Sequence, residues 1–161
     1  MHTPIREVDQ SPGLQQRYML LTFIPYFVDA DGEVWLDQLW HQDFQEHMAY
    51  LRSLTLAAPS KVMTTQKNLC RVHVPSGCQL SFAPLPSQDS LRTALVNLPA
   101  TVVALMRAIK KADIVHSGVV GWPYPLGWIA NPIALLMRKK LFIVIESSPW
   151  DSDDAELKRQ V

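Results

Sequence analysis

The stretch Ala112–Trp150, ADIVHSGVVGWPYPLGWIANPIALLMRKKLFIVIESSPW, constrains the fold of this chain more than any other. Asp113-Ile-Val-His116 is a short apolar run ending in a histidine, and Gly118, Gly121, Pro123 and Pro125 then force a loop. Leu126–Met137 is apolar enough for a buried or half-buried helix. Arg138-Lys139-Lys140 follow, where cations favour a helix C-terminus. Leu141–Ile145 is a continuous β-branched and aromatic run, as expected of a strand covered on both faces. Strand, helix and strand in short succession form a parallel βαβ unit. Ligands of such sheets sit outside the carboxyl ends of the strands. His116-Ser117-Gly118 and Glu146-Ser147-Ser148 occupy those ends and mark the expected site.

The preceding chain extends the same alternation. Residues 1–17 read as a polar tail without the apolar core of a signal peptide. Tyr18–Val28 reads as the first strand, with Pro25 near its end, and Asp29-Ala-Asp-Gly32 as a turn. From Glu33, apolar residues at Leu36, Leu39/Trp40, Phe44, His47/Met48 and Leu51 recur at three and four, predicting an amphipathic helix. Leu54–Ala58 is a second strand stopped by Pro59. Leu69–Val74 and Gln79–Ala83 are short strands around a Pro75-Ser-Gly77 turn. Ser87 or Asp89 is placed to cap a helix that runs to Lys110-Lys111, where Pro99 predicts a kink or two abutting helices. Residues 18–150 are thus one α/β domain, a Rossmann-like, mostly parallel sheet with helices on both faces, followed by a charged tail, 151–161.

Composition narrows the function classes. With 48% hydrophobic residues in 161, the chain can bury a sizeable core. Fifteen Lys and Arg balance fifteen Asp and Glu, so the overall charge gives no footing for nucleic acid. Cys70 and Cys78 have no metal or redox spacing and fit a reduced, cytoplasmic chain. Ile114–Met137 carries no formal charge and is long enough to span a bilayer, but its prolines and glycines would leave backbone groups unpaired in lipid. Strand, loop and helix explain the same residues without that cost.

Few residues stand out as chemical. Asp31-Gly32 reads either as a turn that aims backbone N–H groups at a phosphate or as a plain tight turn; it is no GxGxxG or Walker loop. Asp29-Ala-Asp31 and Asp151-Ser-Asp153 both match a short acidic metal clamp, a pattern common by chance, and no metal site is expected. His41 and His47, six apart, lack two-histidine ligand spacing and read as helix surface; His73 reads as exposed. His116 ends a central strand, where an imidazole can hydrogen-bond a hydroxyl or move a proton, or serve only as structure. Trp122 and Tyr124, in the loop above, are placed to stack on a sugar, touch lipid or simply pack. Glu146, leaving an apolar strand, is costly to bury unpaired and is expected to face the cleft with Ser147.

Three features in order carry a family resemblance: Asp31-Gly32 after the first strand, Ala112-Asp-Ile-Val-His116, and a helix ending Arg138-Lys-Lys before Leu-Phe-Ile-Val-Ile-Glu. Across Tyr18–Trp150 the chain resembles the N-terminal domain of the family 4 glycosyltransferases, which have two Rossmann domains (the GT-B fold). The resemblance implies retaining transfer of a sugar from a nucleotide-sugar donor to a sugar or lipid-linked acceptor, with no metal or other cofactor required. It makes His116 the catalytic candidate and implies substrate contacts from Asp31, Gly32, Ser117, Gly118, Trp122, Tyr124, Glu146 and Ser147. In that family the N-terminal domain mainly holds the acceptor, while a second Rossmann domain supplies most nucleotide contacts. Some members lie on the inner membrane face, which Trp122, Trp128 and Arg138–Lys140 would suit. Two departures follow. Where the family often has His-x-His, Gly118 replaces the second histidine. The second domain is missing, and catalysis between domains needs both walls of the cleft, so this chain alone is expected to be inactive. The competing expectation is a non-enzymatic α/β binding or membrane-surface module.

Overall fold

The computed structural model describes residues 15–64, 67–121 and 123–145. At its centre five parallel strands run in the order β6 (Gln79–Leu85), β4 (Ser53–Val62), β1 (Tyr18–Leu21), β7 (Ile114–Gly118), β8 (Lys140–Val144). β1 pairs with β4 on one side and β7 on the other, so chain order reverses about β1, as in half of a dinucleotide-type sheet. One register row, Phe82–Leu56–Leu20–His116–Phe142, crosses all five strands.

Helices cover both faces, confirming the α/β, Rossmann-like reading. The helix α1 (Gln38–Tyr50) seats Phe44 and Met48 on Leu20, Leu54 and Leu56. The helices α2 (Leu91–Val96), α3 (Leu98–Lys111) and α4 (Gly127–Leu136) follow, and α3 and α4 cover the other face, with Leu105, Ile109, Ala130 and Ala134 against Met19, Leu21 and Val115. Each fully buried Leu or Ile of these layers contributes about 1.5–3 kcal/mol of transfer free energy. No helix of the described residues is long and apolar enough to cross a membrane.

Several local expectations are corrected. The first strand is two: after Leu21 opposes Ala57, four residues bulge before Tyr26 opposes Ser60 and opens β2 (Tyr26–Val28). β4 therefore runs past Pro59, which falls opposite the break, where the ladder is interrupted anyway. The turn at Asp29–Gly32 does not lead into a helix; it closes a hairpin between β2 and β3 (Val34–Asp37). Asp29 fixes that turn, with Oδ1 accepting from the Asp31 and Glu33 N–H groups and Oδ2 from Trp35 Nε1, while Gly32 supplies the positive φ of 82°. α1 starts only at Gln38, capped by Asp37. The strands flanking Pro75-Ser-Gly77 do not pair with each other. β5 (Leu69–Arg71) joins β3 antiparallel, whereas β6 joins β4 in parallel and lays Leu80 and Phe82 on the α1 core. Ser90, not Ser87 or Asp89, caps α2, and Pro99 opens a separate α3, the abutting-helix outcome.

β7 and α4 meet closely enough to dictate a residue. A Cβ on Gly127 would collide with the carbonyl oxygen of Gly118. Beside it the Ser117 hydroxyl donates to Asn131 Oδ1, binding strand to helix. Gly127→Ala is expected to lower stability by about 1–3 kcal/mol, read as a lower denaturation midpoint at unchanged slope; an unchanged midpoint would contradict this packing.

Candidate functional site

The reversal of chain order about β1 opens a cleft at the carboxyl ends of β1 and β7, where open α/β sheets bind ligands. It holds about 270 Å³. Its floor is Leu20–Phe23, His116 and Gly118, and one wall is α1, through Trp40, Asp43, Phe44 and His47. Val144 and the start of α4, Leu126 and Gly127, close the far side.

His116 is the chemical centre of this cleft. Its Nδ1 shares a 2.8 Å hydrogen bond with Tyr18 Oη, and its ring meets Phe142 edge-on at 4.8 Å. His47 on α1 stands 5.8 Å away, ring to ring. Burial, and secondarily the charge of His47, pushes the His116 pKa down to about 4. Burial and neighbouring Tyr50 push the Tyr18 phenol up to about 12. Both groups are therefore neutral at pH 7. Whichever of the two carries the shared proton, Nε2 is the imidazole nitrogen left over for a ligand. His47 differs: its Nδ1 donates to the Asp43 carbonyl at 2.8 Å, which fixes the ring on α1. The neutral His116 imidazole thus shares one small volume with His47, Asp43 and Trp40. Such a set recognises hydroxyls and the apolar face of a ring, and His116 is placed to pass a proton.

Of the residues singled out from sequence, His116 and Gly118 line the cleft. Ser117 does not: its side chain points to the opposite face, is fully buried and is spent on Asn131. Tyr124 packs against the α3–α4 core, its hydroxyl near Gln88 and the Ala94 carbonyl, rather than in the cleft. Asp31 and Gly32 sit at the β2–β3 hairpin tip and do not reach it, and the Asp29 carboxylate, half of the acidic clamp pattern, is taken up by three donors. Trp122, Glu146, Ser147 and the second acidic pattern at Asp151–Asp153 lie outside the described residues. Among the described residues, no group of three or more His, Cys, Asp or Glu is gathered closely enough to hold a metal ion.

His47 and Asp43 were missed by the sequence reading. Spacing to His41 was the wrong test for His47. The informative signal was its place in the apolar stripe of α1 beside Phe44, Met48 and Leu51, which forces the imidazole onto the sheet.

No family model and no curated protein matches the chain. Among solved structures it is similar to the C-terminal domain of a hydrogenase from Pyrococcus furiosus, at 11% identity and a TM-score of 0.39, over 83% of this chain and 95% of that one. A likeness of that size carries no inference about function.

The environment of His116 implies a pH dependence of defined sign. Its folded pKa near 4 lies below the ordinary 6.5, so between those values the unfolded chain binds more protons than the folded one. Stability should fall as pH drops from 6.5 toward 4, by about 1–2 kcal/mol once partial exposure is allowed for. Urea denaturation of wild type and His116→Gln across that window tests it. Wild type should lose stability more steeply than the variant, and parallel profiles would refute the assignment.

Proposed function

We propose that this chain is the acceptor-binding half of a retaining glycosyltransferase that moves a sugar from a nucleotide-sugar donor to a sugar or lipid-linked acceptor. The observation carrying this reading is His116, neutral and half-buried, at the carboxyl end of β7 in a cleft at the point where strand order reverses. At about 270 Å³ the cleft falls just below the usual small-molecule site volumes, roughly 300–1,000 Å³. It fits one sugar ring more readily than a whole nucleotide sugar. With the hairpin tip of Asp31 and Gly32 turned away from it, the donor diphosphate needs a second Rossmann domain or partner chain. A cytoplasmic setting, and peripheral attachment to the inner face of a membrane where a lipid-linked acceptor would lie, belong to the same proposal. The second reading, a non-enzymatic binding or membrane-surface module, draws its support from the absence of a phosphate loop at β1, whose chain turns instead into a hairpin.

Two measurements on the purified chain test the proposal. NMR titration with neutral monosaccharides and disaccharides should perturb His116, His47 and Trp40 selectively. His116→Ala should weaken that binding roughly threefold to tenfold, the loss of one hydrogen bond. A nucleotide sugar supplied alone should be neither transferred nor hydrolysed. Saccharides that leave the cleft resonances unmoved would overturn the acceptor reading, and turnover by the isolated chain would overturn its incompleteness.

A further inference from the structure

An open sheet leaves unpaired backbone groups along its last strands, and proteins ordinarily blunt such edges. Among the described residues, β5, β6 and β8 each have a neighbour on one side only. β5 is three residues long and ends in Arg71, which is ion-paired to Glu33. β6 carries Pro84, which has no N–H to offer a further strand. β8, Lys-Leu-Phe-Ile-Val, has neither device: its one charge is at its first residue, and it has no proline and no bulge.

The backbone of β8 is set for another strand. The Lys140 N–H donates to the Asp113 carbonyl and the Val144 carbonyl accepts from Val119, so the even-numbered residues serve β7. Leu141 and Ile143 therefore turn their N–H and C=O groups outward. Phe142, 56% exposed, stands on the α1 side of the strand, and Ile143, 44% exposed, on the α4 side. α4 overhangs the same edge. α3 covers β4 and β6 while α4 covers β7 and β8. One flank of α4, Ile129, Ile133 and Met137, packs into the core shared with α3. At about 100° per residue, Trp128 and Leu135 stand on the opposite flank, beyond the sheet, and both are largely exposed.

From this edge and flank we infer that β8 pairs antiparallel with β8 of a second copy of the chain, about a two-fold axis that passes through Phe142 perpendicular to the sheet. In that register Leu141 faces Ile143 of the second copy, and every outward N–H and C=O of the strand finds a partner. Phe142 meets its counterpart as a cross-strand aromatic pair. The two Lys140 residues are kept about 13 Å apart along the strands, more than the Debye length of about 8 Å. α4 lies roughly half a strand spacing inside β8 and the axis half a spacing outside it, so the two α4 helices run about 10 Å apart, an ordinary packing distance. The exposed parts of Trp128, Leu135, Phe142, Ile143 and Ile145 amount to roughly 600 Å² per copy, and two copies reach the ~1,200 Å² at which specific interfaces begin. Other occupants fit less well. A bilayer would cover the side chains but not the outward amides. The chain's own residues 146–161, with Pro149 and six charges from Asp151 on, contain no β-branched or aromatic run to pair with the edge. Because the axis reverses strand direction, the two clefts open at opposite ends of the joined sheet and neither copy completes the other's. The inference is thus independent of the sugar-binding reading.

Sedimentation velocity of the full chain over micromolar concentrations decides it, and the wild type should form a reversible dimer. Ile143→Pro removes an N–H that the monomer leaves unpaired, and should raise the dimer Kd roughly thirtyfold, the loss of two hydrogen bonds. Leu135→Glu leaves the strand intact and sets like charges against each other across the axis, and should raise Kd roughly tenfold or more. Both variants should keep the wild-type circular dichroism spectrum; if Ile143→Pro fails to fold, Leu135→Glu takes its place. In a Cys70→Ser/Cys78→Ser background, Phe142→Cys should oxidise to a covalent dimer, because facing Cα atoms of a non-hydrogen-bonded pair lie about 4.5 Å apart, whereas Lys140→Cys should not. Any of three results would overturn the inference: a monomer throughout, a dimer indifferent to both Ile143→Pro and Leu135→Glu, or cross-linking through Lys140→Cys in preference to Phe142→Cys. Because the readout is self-association and not saccharide binding, its failure is distinct from failure of the glycosyltransferase reading.

Discussion

Everything in this molecule is referred to β1, a four-residue strand held between two parallel neighbours. Met19 and Leu21 face the α3–α4 layer, and Leu20 faces α1, so one short strand anchors both cores. Parallel strands must be brought together by crossovers, and α1 lies on the connection from β1 to β4, the α2–α3 pair on that from β6 to β7. The reversal of chain order about β1 then leaves a gap that no crossover fills, and the gap is the cleft. Arg17 and Asp113 clamp the other end of the β1–β7 pair, and the guanidinium holds the Asp113 carboxyl well below the usual range. Fold and site are consequences of the same strand pairing.

The chemistry of the cleft follows from what surrounds the row through Leu20. His116 takes a place in it whose neighbours are Leu20 and Phe142. An imidazole there loses water and, in the absence of a nearby carboxylate partner, keeps no charge. Tyr18 compensates by supplying a hydrogen bond, and α1 brings a second imidazole close enough to disfavour protonation further. A neutral, oriented imidazole suits hydroxyl recognition and proton transfer better than it suits binding an anion. That is the physical ground for seeking a neutral polyhydroxylated ligand here.

The α/β class, the βαβ unit of β7, α4 and β8, the break at Pro99 and the placement of His116 were all legible, because each rests on local periodicity or on punctuation by proline and glycine. β8, however, is an edge strand with Phe142 and Ile143 exposed, not the strand covered on both faces that its apolar run suggests. The β2–β3–β5 layer was not legible. Val34–Asp37 fits a helical stripe as well as a strand, and only pairing with the distant β5 decides between them. An Asp-Gly turn opens a helix or closes a hairpin with equal local sense; Asp29 selects the hairpin through bonds to residues as far on as Trp35. Ser117 was misplaced by the two-residue period of a strand: it neighbours His116 in sequence and therefore faces the opposite side. His47 was overlooked because its partner is 69 positions away in the chain and joined to it only through the sheet.

The most direct test of this picture is the ionisation of the individual imidazoles, followed by ¹⁵N-resolved NMR of the histidine rings as pH is lowered through the window set by His116. Its ring should stay neutral through pH 6.5 and protonate only near 4, with Nδ1 reporting the hydrogen bond to Tyr18. Titration of His116 at the ordinary value would mean that the imidazole is solvated and free, and the cleft described here would not be the one the protein forms.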